Sequence, residues 1–105
     1  MKLCVKPFYG WGWRGLNGSL DVPLQFDLEI EETLPSKQHV FQVAIGRVTL
    51  QGHPLEGLWV TLTPRHTKPD DMYNLAAFSE RPDLSGIDWQ QAEIAGFAEA
   101  FQISN

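Results

Sequence analysis

Apolar side chains occupy every second position at Leu20, Val22, Leu24, Phe26, Leu28 and Ile30, with Asp21, Gln25, Asp27, Glu29 and Glu31 among the residues between them. A period of two puts successive side chains on opposite faces of an extended chain, so this run predicts a half-buried strand with an acidic, solvated face. Pro23 has no N–H to give to a ladder and predicts an edge position or a local break. Glu32 to Lys37 reads as a turn, because Pro35 disfavours a helical conformation at Leu34.

A second strand is predicted over Val40 to Leu50. Its apolar phase changes between Phe41, Val43, Ile45 and the later Val48, Leu50, and a bulge at Gly46 would keep both sets on the core face. Leu58, Val60 and Leu62 alternate with Trp59, Thr61 and Thr63 in a third strand that Pro64 ends. The connection between these two strands contains Gly52, Pro54 and Gly57, which predicts an antiparallel hairpin. The stretch from Gly46 to Leu62 also resembles the hairpin of carboxypeptidase regulatory-like, transthyretin-type β-sandwich domains over 17 of the 105 residues, which implies the same pairing. Leu3 to Phe8 reads as a further short strand.

Beyond Thr67 the pattern is irregular up to Asp83, with Tyr73 to Phe78 as a helical turn. Ser85 then reads as an N-cap, with Asp88 placed favourably at the positive end of a helix. Ile87, Ile94, Phe97, Ala98 and Phe101 follow at helical spacing and predict an amphipathic helix over residues 86–102. Ala92, Gly96 and Ala100 form a small-residue stripe on it. Glycine inside a helix costs about 1 kcal/mol relative to alanine, so the stripe suggests a close backbone approach, either across the chain's own sheet or in a helix–helix homodimer. The expected fold is α+β: an antiparallel sheet of four or five strands with one C-terminal helix packed on it. Ile87, Ile94, Phe97 and Phe101 of the helix join the alternating strand residues in the expected core.

Composition narrows the functional classes. At 105 residues and 11.9 kDa, with 43% hydrophobic and 20% charged residues, the chain has the length and make-up of a single globular domain spanning 1–105. Its 13 acidic against 8 basic residues give a net charge of −5, unsuited to neutralising phosphates, so nucleic acid is not an expected partner. The charge is unevenly spread: residues 1–18 and 37–69 are net positive, residues 19–36 and 70–105 net negative. One cysteine, Cys4, allows no internal disulfide, and there is no apolar run of the roughly 18 residues that a membrane span needs. A cytoplasmic protein with no membrane partner is expected.

The most unusual segment is Phe8 to Gly15, with four aromatics and three glycines in eight residues. Tyr9, Trp11, Trp13 and Arg14, together with Trp59, are candidate contacts for a planar ligand, a sugar or a protein partner, the alternative being that the tryptophans cover the core. Asp27, Glu29 and Glu31 form a candidate acidic face for a basic partner, or a charged strand face that discourages aggregation. His39, His53 and His66, the last near Asp70 and Asp71, match no metal motif, and no phosphate loop or nucleophile elbow occurs, so neither metal nor cofactor is expected. Three functions remain open: a small acidic, non-catalytic protein-binding module of the inhibitor or immunity type, a small-ligand or carbohydrate binder using the aromatic-glycine segment, and a small enzyme without a sequence motif.

Overall fold

The computed structural model describes residues 2–7, 25–37, 41–48, 51–52, 55–65 and 72–104. Six strands form a closed barrel: β1 (Lys2–Pro7), β2 (Phe26–Leu34), β3 (Val43–Arg47), β4 (Trp59–Pro64), β5 (Met72–Phe78) and β6 (Ile94–Ser104). Every strand pairs antiparallel with its sequence neighbour, and β6 returns to β1, with Lys2 to Pro7 facing Ser104 to Ala98. Among the described strands closure leaves no open sheet edge, which is how an up-and-down barrel satisfies the backbone groups of its outermost strands. The hairpin expected from Gly46 to Leu62 is the β3–β4 pair, with Ala44 opposite Leu62 and Arg47 opposite Trp59.

The C-terminal helix is not formed, and the fold is all-β rather than α+β. Residues 94–104 are strand β6, and the helical structure nearest to the expected start is a 3-10 turn at Trp89–Gln91. A spacing of four is common to a helical face and a strand face, so Ala92, Gly96 and Ala100 cannot tell the two apart. The alternation of Gly96, Ala98 and Ala100 with Phe97, Glu99 and Phe101 does: the small residues are buried, Phe97 and Glu99 are half-buried and Phe101 is exposed. Ala95, Ala98, Glu99 and Ala100 favour a helix by intrinsic propensity, but the ladders to β5 and β1 override it. With no helix there, the alternative of a helix–helix homodimer through Ala92, Gly96 and Ala100 falls away together with packing of a helix on the sheet, and Gly96 and Ala100 instead face the inside of the barrel. Phe97 and Phe101 likewise move from the expected core to the outer surface. Tyr73 to Phe78, read as a helical turn, is part of β5.

Several rungs of the interior pair a large side chain with a small one, while Leu3 faces Leu28, Val5 faces Phe26 and Leu62 faces Leu75. Gly46 lies between Ile30 and Val60, Ala44 faces Leu62, Leu75 faces Gly96, and Ala100 faces Val5. Phe41 stacks on Tyr73 where β3 and β5 begin, with ring centroids 5.4 Å apart, while Leu55 is fully buried beyond the other end of β3. Leu20, Val22, Leu24 and Leu50 of the expected core lie outside the described residues.

The bulge falls on the strand opposite the expected one. Ile30 pairs with Gly46 and Glu32 with Ile45, so Glu31 is the extra residue and it belongs to β2, not β3. A Cβ on Gly46 would run into the carbonyl of Glu29, with the Leu28 side chain 3.2 Å away, and this close approach requires glycine. Beyond the bulge the faces of β2 exchange. Leu34 comes opposite Val43 and joins a second cluster of Val43, Ile45 and Leu84, with Trp59 and Ile87 packed against it, outside the barrel. The connection between β5 and β6 therefore covers the outer face of β3 and β4. Beneath it the fully buried Thr61 hydroxyl donates to the Ala76 carbonyl at 3.3 Å.

Replacing Gly46 with alanine is expected to destabilise the barrel by about 3 kcal/mol, the upper part of the range for overpacking, because the obstructing atoms are backbone. Gly86→Ala meets open space and is expected to change stability by less than about 0.5 kcal/mol. Urea denaturation of both variants checks the contrast, and equal stabilities would contradict the close β2–β3 approach.

Candidate functional site

Three outward surfaces carry chemistry. The first is built around Trp59, whose neighbours across the sheet are Arg47 on β3 and Phe78 on β5. Gly57, with φ of +80°, turns the chain just before β4, and its carbonyl accepts from Arg47 Nη2 at 2.9 Å. The Arg47 guanidinium carbon lies 4.8 Å from the Trp59 ring centroid, and that of Arg81 lies 4.9 Å from it. Arg81 also pairs with Glu32 just past the bulge. Each cation–π contact contributes about 0.5–1 kcal/mol where solvent is near. Trp59 thus ties the β5–β6 connection to the barrel wall and is half-buried there, which is a different task from an open stacking platform. Tyr9, Trp11, Trp13 and Arg14, the other candidate ligand contacts, lie outside the described residues.

Beside Arg81 the connection forms a cleft of about 420 Å³ whose walls include Phe78, Glu80, Pro82, Asp83 and Asp88. The local turns are held by aspartates. Asp83 Oδ1 accepts from the Ser85 backbone N–H at 3.0 Å and from its hydroxyl at 2.8 Å, and Asp88 Oδ1 accepts from the Gln90 N–H at 3.0 Å. Ser85 is therefore a donor to Asp83 rather than a helix cap, and Asp88 caps the single 3-10 turn. The Ser85 backbone hydrogen bond, followed by the hydroxyl one, holds the Asp83 carboxyl below its ordinary value of 3.8.

The second surface is β2. Asp27, Glu29 and Glu31 are all exposed, with Asp27 and Glu29 on the outward face and Glu31 at the bulge. The register sets Glu29 between Lys2 and Arg47, which offsets the repulsion of like charges along the strand.

The third surface runs along the outside of β6 and β1, on the side of the barrel away from the covering connection. Phe101 is 38% exposed and Ile103 50% exposed. The Lys6 ammonium lies 5.5 Å from the centre of the Phe101 ring, and the Arg65 guanidinium lies 4.2 Å from that of Phe97. Helical reading of the sequence hid this strip, although the alternation of the small residues Gly96, Ala98 and Ala100 with the larger Phe97, Glu99 and Phe101 signalled it. Cys4 is buried nearby, its sulfur accepting from Gln25 Nε2 at 3.2 Å.

Among the described residues no group of three or more His, Cys, Asp and Glu side chains is placed to hold a metal ion, and no helix is long and apolar enough to cross a membrane. His39, His53, His66, Asp70 and Asp71 lie outside them.

Substituting Ser85 with alanine is expected to raise the Asp83 pKa by removing the hydroxyl donor. In the native chain the lowered pKa favours folding above the unfolded value and loses that contribution as pH falls through the folded value. NMR titration of the Asp83 side-chain carbonyl in both proteins checks it, and an unchanged midpoint would contradict the hydroxyl's part.

No protein-family model, curated protein or solved structure matches this chain.

Proposed function

We propose that the chain is a non-catalytic protein-binding module that works through the outer surface of its barrel. The observation that carries this reading is the exposed apolar strip of Phe101 and Ile103 on β6, the large hydrophobic side chains that are exposed among the described residues. A six-stranded barrel is narrower than the eight-stranded ones that hold a small ligand, and here the interior is occupied by the chain's own side chains. A partner is thus met on the outside. Closed ladders offer no strand edge to extend, so recognition runs through side chains. Aromatic anchors flanked by cations are the kind of group that dominates protein–protein binding energy.

The double variant Phe101→Ser, Ile103→Ser is expected to fold with nearly unchanged melting temperature, because both side chains are already solvated in part, while losing at least tenfold in partner affinity. A photo-crosslinking amino acid at position 101 is expected to give a discrete protein adduct in a lysate of the source cells that one at the exposed position 90 does not give, and the adduct identifies the partner for the affinity measurement. Absence of a discrete adduct, or equal affinity of the double variant, would overturn the reading.

A further inference from the structure

The strand registers place both signs of charge on the outer face around the β6–β1 strip, row by row. In the first row Lys6 stands beside Glu99, in the second Cys4 lies between Asp27 and Phe101, and in the third Lys2 lies between Glu29 and Ser104. A partner segment of a single sign therefore meets like charge whichever sign it carries. The relief is uneven as well: Phe101 projects at 38% exposure, while the short Cys4 beside it is only 9% exposed. Although Lys6 and Glu99 are cross-strand neighbours, they make no ion pair with each other, and the ammonium leans over the Phe101 ring instead.

Resting on the protein-binding reading, we propose that the strip docks a second copy of this chain, with a two-fold axis running along the seam between β1 and β6. Such an axis exchanges the two strands within each row, so every contact is made twice. Phe101 of one copy covers the partner's Cys4, a projection over a hollow. Lys6 meets the partner's Glu99 and Glu99 meets the partner's Lys6, so that the four charges alternate in sign across the contact. Lys2 lays its aliphatic stem on the partner's Ile103, the extra residue between Gln102 and Ser104 in the register of β6. Stacked sheets stand about 10 Å apart, a gap that an extended lysine and a glutamate side chain together span. Each copy carries a net charge of −5, but Glu80, Asp83 and Asp88 stand on the connection over β3 and β4, three strands round the barrel from the seam. Repulsion between exposed charges farther apart than about 8–10 Å is largely screened at 0.1–0.15 M salt. A contact between two strands of each copy is small for a specific interface, so the dimer is reversible and its population depends on concentration.

Sedimentation equilibrium of the purified full chain over a range of concentrations tests this, with a dimer of twice 11.9 kDa as the expected result. Phe101→Ser is expected to weaken association at least tenfold. Lys6→Glu and Glu99→Lys, each alone, set like charges against each other across the contact and are expected to weaken it as much. An equimolar mixture of these two variants makes both cross-copy pairs opposite in sign again and is expected to restore the dimer. Should either single variant fold poorly, the double variant Lys6→Glu, Glu99→Lys keeps opposite signs within the row and is expected to dimerise as the native chain does. A chain that stays monomeric at every concentration would overturn the proposal. A dimer indifferent to all these changes would overturn it in favour of another face. A crosslinked adduct at position 101 that contains only a different protein would overturn the second copy and leave the protein-binding reading standing, whereas absence of any adduct means that both have failed.

Discussion

The space inside a six-stranded barrel governs the rest of this structure. Eight strands give an interior just wide enough for side chains to fill, and six give less, so two large residues cannot face each other at every rung. The chain answers with Gly46 between Ile30 and Val60, Ala77 between Val60 and Ile94, and Ala98 between Tyr73 and Pro7. Leu28, Leu62 and Leu75 then reach complete burial, each contributing on the order of 1.5–3 kcal/mol. On β6 the inward positions are held by Gly96, Ala98 and Ala100, and Phe97 and Phe101 lie on the outer surface.

A second consequence appears where β2 and β3 approach most closely. Gly46 lets the Glu29 carbonyl come near, and the extra residue Glu31 follows at once in the register. A bulge bends its strand and exchanges its faces. Here it turns Leu34 toward Val43 and the outer cluster, and turns Glu32 toward Arg81. Trp59 completes the joint by taking Arg47 and Arg81 over its ring. One side of the barrel thereby acquires a second layer, while Phe101 and Ile103 on β6 are exposed.

The alternation of Phe26, Leu28 and Ile30 with Asp27 and Glu29, the β3–β4 hairpin, and the exposure of the β2 carboxylates were legible in the sequence, because a period of two and a glycine-proline connection are local signals. The bulge was detectable as a change of phase near Gly46 but not assignable to a strand, since an extra residue on β2 and one on β3 disturb the same ladder. The candidate ligand contacts fared unevenly. Trp59 is visible as an alternating residue of β4, yet its two guanidinium neighbours come from positions 12 before and 22 after it and are brought to one ring by pairing and by the folding back of a connection.

What the sequence determined by itself was a polarity pattern, the alternation along β2 and β4, together with the turn that joins β3 to β4 and an acidic balance concentrated in two blocks; the turn expected over Glu32 to Lys37 instead begins after β2 has run on to Leu34. Only the tertiary structure decided the state of residues 94–104. Their alanines and glutamate suit a helix, and a repeat of four fits a helix and a strand equally. Two ladders, one to β5 and one to β1, make the strand the better solution by giving its backbone groups partners on both sides and by closing the barrel. Local propensity is worth tenths of a kcal/mol per residue, whereas an unpaired sheet edge leaves a whole row of donors and acceptors without partners, so closure determines the conformation.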